Sequence, residues 1–247
     1  YANNGSRQLN HRNSFDLSSA SHFEYAITNR ALYQYVLERE PNYERIGKKK
    51  QITVEDQIEF AQRSNMMMIP CRFPYQPTLS QSFSTWDKDR GQPLFDVPFL
   101  SDQLDLFDRY VRTARSTNVQ IVGDFRGIVA DVLKIVADLN DLEQDVDHIR
   151  LEDIIDELLG YQTKVIQLVC DRFAKDLAFV MFSDHLADDT GLRLPVDDFD
   201  AVFSEPIQRL MHPAKEHGLS TVLYADGRLD AALPLLEQLG FDGVYIA

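Results

Sequence analysis

The sequence has few cysteines and no long apolar run. Its two cysteines, Cys71 and Cys170, lie far apart in a chain of 247 residues. This excludes a disulfide framework and is typical of a reducing cytoplasm. No run approaches the roughly 18 apolar residues of a membrane-spanning helix, and the opening residues lack a signal-peptide pattern. These features predict a soluble, cytoplasmic protein without a membrane partner.

Basic side chains are also scarce. The chain has 25 lysines and arginines against 39 aspartates and glutamates, which gives a formal net charge of −14. A nucleic-acid-binding surface needs clustered basic residues, so this class of protein is excluded. The run Lys48-Lys49-Lys50 is the single basic cluster, and we assign it to a solvated loop. Any polyanionic ligand would need a local cationic pocket.

The motifs of nucleotide and metal sites are missing as well. Gly123 and Gly127 are too sparse for a phosphate-binding or dinucleotide-binding loop. No histidines have the spacing of a zinc site, and the three methionines of Met66–Met68 are typical of a protein core. We therefore predict no metal and no bound cofactor. The expected partner is a small-molecule substrate, and a homodimer is compatible with this prediction.

Short apolar runs alternate with helical patterns along most of the chain. Strands are predicted to begin near residues 66, 119, 178, 220 and 243, and helical periodicity fills the intervals. This alternation predicts an α/β fold of the (β/α)8 TIM-barrel type. We predict a polar N-terminal arm and helix over residues 1–50, with the arm itself covering residues 1–21, and a partial barrel over residues 51–247. Because a complete barrel has eight strands, we expect the natural protein to be longer.

Residues 74–98 interrupt the alternation. Several prolines and serines and the single tryptophan, Trp86, lie in this segment. A stretch of this length without periodicity is typical of a lid or a binding loop. Trp86 is interpreted as a packing anchor, with covering of a pocket mouth as the alternative.

Polar side chains follow four of the predicted strands. In a parallel barrel the carboxyl ends of the strands surround one common face, where the active site lies. We therefore expect these side chains to converge and to form the functional site. The candidate residues are Arg72, Asp124, Arg126, Asp184, His185, Tyr224 and Asp226.

Specific motifs surround the last three strands. They are Phe182-Ser183-Asp184-His185-Leu186-Ala187, Gly191-Leu192-Arg193-Leu194-Pro195, Tyr224-Ala225-Asp226-Gly227, Leu233-Pro234, Glu237 and Gly240-Phe241-Asp242. This set resembles the uroporphyrinogen decarboxylase family, a family that also includes corrinoid-linked methyltransferases and is similar to the barrel of cobalamin-independent methionine synthase. The resemblance extends from about residue 118 to residue 247 and is thin over residues 52–73.

The resemblance implies metal-independent decarboxylation of a carboxylated tetrapyrrole or a related compound. Asp184 would polarise the substrate, Tyr224 would donate a hydrogen bond to it, and His185 would transfer a proton. Arg72, Arg126, Asp124 and Asp226 would bind the substrate. Structural alternatives stay open for three of these residues. Asp184 would cap the turn that follows it, Arg72 would form an ion pair, and Asp226 would serve the tight turn Asp226-Gly227.

Two other functions are compatible with the residues. The first is a corrinoid-dependent methyltransferase or demethylase, with the corrinoid as methyl donor or acceptor. Its zinc-dependent relatives place a His-x-Cys pair where this chain has Tyr224-Ala225, which counts against zinc-assisted transfer. The second is a truncated or degenerate barrel that binds a ligand without catalysis. The presence of a single arginine, Arg72, after the first strand also departs from the arginine-rich segment of the decarboxylases.

Overall fold

The computed structural model describes residues 29–46, 49–73, 75, 77–80, 83–141 and 149–246. The predicted arm over residues 1–21 lies outside these residues. No helix within the described ranges has the length and hydropathy of a membrane-spanning segment. The helices are α1 (Arg30–Leu37), α2 (Val54–Arg63), α3 (Leu100–Ala114), α4 (Val129–Asn140), α5 (Leu151–Phe173), α6 (Val196–Glu216) and α7 (Leu233–Leu239). The strands are β1 (Tyr43–Ile46), β2 (Lys49–Ile52), β3 (Met68–Cys71), β4 (Thr78–Leu79), β5 (Phe95–Asp96), β6 (Gln120–Arg126), β7 (Leu177–Asp184), β8 (Ala187–Asp188), β9 (Gly191–Leu192), β10 (Thr221–Ala225) and β11 (Gly243–Ile246).

A parallel sheet of five strands forms the centre of the described chain. Its order is β11-β10-β7-β6-β3, so each strand pairs with the next one along the chain. These are the five strands predicted from the sequence, and β3 begins two residues later than expected. The α/β class is therefore confirmed. The sequential order differs from a doubly wound sheet, in which the strand order reverses at a switch point.

The two faces of this sheet are covered differently. The face that we call the helix-covered face packs against α3, α5 and α6 through the main core, which includes Phe107, Phe125, Phe182 and Leu158. On the opposite face, which we call the open face, a second apolar cluster is buried. Its buried residues are Met68, Val122, Phe179, Met181 and Val222. Every residue of this cluster lies on a strand of the central sheet.

Local signals explain where several helices begin and end. The sequence predicts Thr53 as the N-cap of α2, and its Oγ1 accepts a hydrogen bond from the Asp56 backbone N–H at 3.4 Å. Gly240 caps α7 with a φ of 92°, a conformation that favours glycine. The sequence pattern predicts an end of α6 near Met211, but the helix continues to Glu216 and contains Pro206 and Pro213. Proline in a helix interior favours a stop, which explains the early end of the prediction.

Three short antiparallel pairs were not predicted. Strands β1 and β2 pair antiparallel, so Lys49 and Lys50 lie on a strand and not in a loop, and Lys48 lies outside the described residues. The two lysine side chains are exposed, and these two strands bury a single residue, Ile52, which leaves little pattern in the sequence. The segment over residues 74–98 contains the pair β4–β5. Strands β8 and β9 form the third pair. Within residues 74–98, Trp86 is buried and donates through Nε1 to the Gln92 carbonyl at 2.9 Å, which confirms its role as a packing anchor.

Candidate functional site

An ion pair lies at the carboxyl ends of the first two sheet strands. The Nε and Nη2 atoms of Arg72 lie 2.8 and 3.1 Å from the two carboxylate oxygens of Asp124. Ser183, at the end of β7, donates to Asp124 Oδ1 at 2.7 Å. The Asp124 side chain is 1% exposed and that of Arg72 is 34% exposed. The buried carboxylate is therefore neutralised by a guanidinium that solvent can reach.

Strand alternation explains why these groups meet. Along β6, Asp124 follows Val122 of the open-face cluster by two residues, and along β7, Ser183 follows Met181 by two. Side chains two residues apart project from the same face of a strand. At the carboxyl ends of the strands, polar side chains therefore follow the apolar cluster of the open face. We call Arg72, Asp124, Ser183, Tyr224 and Tyr245 the open-face site.

Two tyrosines complete this site on the neighbouring strands. Tyr224 pairs in register with Ser183 on one side and with Tyr245 on the other. The rings of Tyr224 and Tyr245 stack with centroids 5.5 Å apart and an interplanar angle of 17°. Burial, followed by the charge of Asp226, raises the pKa of Tyr224. The phenol therefore keeps its proton and can donate a hydrogen bond to a ligand.

His185 and Asp226 form a pair just beyond β7 and β10. The Nδ1 of His185 lies 2.7 Å from Asp226 Oδ2, and the His185 side chain is 64% exposed. The turn that carries Asp226 continues into Gly227, whose φ is 80°. A Cβ at Gly227 would lie 2.6 Å from the Asp188 backbone nitrogen, so this position requires glycine. The structure brings together two residues that the sequence analysis placed in one site.

Arg126 forms a separate ion pair. Its Nε donates to Asp131 Oδ2 at 2.8 Å, and its Nη2 contacts the other oxygen of the same carboxylate. Burial lowers the pKa of Arg126, but the hydrogen bonds and charge of Asp131 outweigh this and raise it overall. Asp131 belongs to the first turn of α4, so Arg126 contacts the start of that helix, whereas Arg72 contacts the strand residue Asp124.

Asp184 lies on the helix-covered face. Its two carboxylate oxygens accept hydrogen bonds from the backbone N–H groups of Val129 and Ala130, both at 2.9 Å. These are the first residues of α4, so Asp184 caps this helix and not the turn that follows its own strand. Burial raises the pKa of Asp184 to about 6. A Cβ at Gly127 would lie 2.1 Å from its Oδ2, so only glycine leaves room for the carboxylate.

Three residues of these clusters were missed in the sequence, as was Gln162, a buried residue of α5. Strand alternation, extended by two residues beyond Met181 and along β11, would have indicated Ser183 and Tyr245. Asp131 carries no sequence signal beyond its place in the first turn of a helix. Gln162 is a polar residue within the buried apolar stripe of α5, and this break in the apolar pattern could have identified it from the sequence.

No protein-family model matches the sequence, and no curated protein matches it. The resemblance to uroporphyrinogen decarboxylases therefore stays a prediction based on the motifs around β7, β10 and α7.

Proposed function

We propose that this chain is a carboxy-lyase of the uroporphyrinogen decarboxylase type that binds a carboxylated tetrapyrrole or related compound at the open-face site. One observation carries this proposal. Arg72, Asp124, Ser183 and Tyr224 meet at the carboxyl ends of parallel strands, next to the apolar cluster of the open face. The sequential strand order and the buried open-face cluster support the finer proposal that the sheet is part of a (β/α)8 barrel.

Four residues of the open-face site have a role in this proposal. Arg72 binds a substrate carboxylate, because a guanidinium matches the planar geometry of a carboxylate. Asp124 and Ser183 hold the guanidinium in position through the contacts already described. Tyr224 donates a hydrogen bond to the reacting arm of the substrate. Asp184 keeps α4 in place and does not touch the substrate.

Decarboxylation requires a proton as well as binding groups. The bond between the methylene carbon and the carboxyl group breaks, carbon dioxide leaves, and the electron pair stays on the substrate. A proton then adds to the methylene carbon. In our proposal His185 delivers this proton through Nε2, since its Nδ1 faces Asp226, which orients the ring.

Replacement of Arg72 tests the proposal. We expect Arg72→Gln to lower kcat/KM for uroporphyrinogen by at least about 10²-fold, because the loss of a charged anchor misplaces the reacting arm. Chromatographic separation of the decarboxylated products measures this rate. The matched control is Arg112→Gln on α3, where an exposed arginine pairs with Asp108 and should be replaceable without effect. Equal activity of wild type and Arg72→Gln, with unchanged circular dichroism, would remove Arg72 from the mechanism.

Ligand binding without turnover is the second candidate. It is favoured by the position of Asp184, the carboxylate that the resemblance assigns to catalysis. Both of its oxygens accept hydrogen bonds from backbone N–H groups of α4 instead. Titration with uroporphyrinogen distinguishes the two functions, because a binding protein shows saturation without release of carbon dioxide. A cobalamin titration, together with an assay of methyl transfer, tests the corrinoid alternative in the same way.

A further inference from the structure

A small cavity lies between the end of β6 and helices α3 and α5. Its volume is about 30 Å³, which is room for a few non-hydrogen atoms. Most of its walls are apolar, and Gln162 of α5 also lines it. Gln162 is only 7% exposed, yet neither its Oε1 nor its Nε2 has a hydrogen-bond partner among the described residues. The apolar lining comes from Phe73, Phe107, Phe125, Val165 and Ile166.

A second glutamine of the same cavity provides the contrast. Gln103 is also 7% exposed, but its Nε2 donates to the Tyr161 hydroxyl. That hydroxyl donates in turn to the Pro98 carbonyl at 3.1 Å. A buried amide without partners destabilises the fold, and leucine at Gln162 would avoid this cost. An unsatisfied buried amide in the wall of a cavity is typical of a ligand site.

We propose that this cavity binds a short, uncharged arm of a ligand that ends in a primary carboxamide. Such a group offers one acceptor and one donor in a plane, which matches the donor and acceptor of Gln162. Arg126, which also lines the cavity, forms an ion pair with Asp131. The apolar walls contact the two faces and the alkyl part of the arm.

The inference deepens the proposed function. It rests on that function for the position of the substrate carboxylate at Arg72. Arg72 and Asp124 line the same cavity. A ligand whose carboxylate lies at Arg72 would therefore place its amide arm against Gln162. Among carboxylated tetrapyrroles and related compounds, the inference favours one that carries a neutral amide on the arm next to the carboxylate.

Two probes separate the cavity from the carboxylate site. Propionamide and propionate are titrated into the wild type while the methyl NMR signals of Val165 and Ile166 are followed. We expect propionamide to shift these signals and Gln162→Leu to weaken its binding by at least about 10-fold, the size of one or two lost hydrogen bonds. Propionate binding should fall in Arg72→Gln and stay unchanged in Gln162→Leu. If Arg72→Gln binds propionate as the wild type does, the proposed function is overturned and this inference is not. If propionamide does not shift the methyl signals, the cavity holds only water and this inference is overturned.

Thermal unfolding provides an independent measurement. We expect Gln162→Leu to raise the unfolding midpoint by about 3 °C, since it removes an unsatisfied buried amide. Gln103→Leu is the matched control and should lower the midpoint, because it removes the partner of Tyr161. Gln162→Met repeats the test with a more adaptable side chain if leucine does not fit. An equal loss of stability at both glutamines would contradict a ligand-binding role for Gln162.

Discussion

Asp124 and Asp184 are two buried carboxylates at the carboxyl ends of neighbouring strands, and the structure uses them in opposite ways. Asp124 lies at the edge of the open face, where its partners are the side chains of Arg72 and Ser183. Asp184 lies on the helix-covered face, where its partners are two backbone N–H groups of α4. The first carboxylate holds a group that solvent can reach. The second one fixes a helix.

The difference between them comes from strand geometry and not from residue type. Ser183 and Asp184 are adjacent on β7, so their side chains project from opposite faces of the sheet. Ser183 therefore contributes to the open-face site, whereas Asp184 joins the layer of helices. A single step along a strand separates a position suited to ligand binding from one suited to stability.

Gly127→Ala should produce the largest effect and acts on the helix-covered face alone. The added methyl group would lie 2.1 Å from Asp184 Oδ2 and would push the carboxylate away from Val129 and Ala130. We expect the free energy of unfolding to fall by about 3–5 kcal/mol, from overpacking and the unpaired N–H groups together. Urea denaturation measures this change.

Gly160→Ala is the matched control for this substitution. Gly160 lies in α5, and a Cβ there has no neighbour within 4 Å, so alanine should stabilise the protein by about 0.5–1 kcal/mol. Arg72 lies on the other face, so the folded fraction of Gly127→Ala should bind propionate as the wild type does. Similar stability of the two variants would show that Asp184 is not confined by Gly127.

The sequence allowed the strands to be predicted because their signals are local. Each of the five sheet strands is a short apolar run, and parallel strands covered on both sides have this composition. The convergence of Arg72 with Asp124, and of His185 with Asp226, also followed from strand order and from the rule that carboxyl ends share one edge.

The face to which each side chain belongs could not be predicted in the same way. Within the run Ser183-Asp184-His185, the sequence analysis favoured the aspartate because the family resemblance implies that it polarises the substrate. The capping role of Asp184 depends on contacts with the start of α4 and on the space left by Gly127. These residues lie more than 50 positions away from Asp184 in sequence. Strand β6 also has an irregular register between Ile121 and Gly123, which shifts its pairing with β7. The pair β1–β2 buries a single apolar residue, Ile52, and therefore carries little apolar signal.

The pH dependence of stability should show the second largest effect. Burial raises the pKa of Asp184 from an ordinary value of 3.8 to about 6. Between these values the folded protein still holds a proton that the unfolded chain has released, so the free energy of unfolding falls as the pH rises from about 4 to about 6 and is constant above. A shift of this size corresponds to about 3 kcal/mol. Urea denaturation of wild type and Asp184→Asn across this range isolates the contribution, since asparagine does not ionise.

Asp188→Asn is the control for this pH series. Asp188 is exposed, and hydrogen bonds from Thr190 hold its pKa below the ordinary value. Its contribution therefore has the opposite sign, because it adds stability that is lost as the pH falls. If the stability difference between wild type and Asp184→Asn were the same at pH 4 and pH 6.5, Asp184 would not titrate as a buried acid.

Ser183→Ala should produce the smallest effect and acts on the open face alone. It removes the hydroxyl that donates to Asp124 and leaves the pair with Arg72 in place. We expect a loss of about 1 kcal/mol in stability and a several-fold weaker binding of propionate, because Asp124 then holds Arg72 less firmly. The control is Ser204→Ala on α6, where the hydroxyl donates to the exposed Asp200 and should be dispensable for both quantities. Calorimetric titration and urea denaturation measure the two changes. A loss of stability without any change in propionate affinity would mean that Ser183 supports the sheet, as Asp184 does, and that the two faces differ less than their partners indicate.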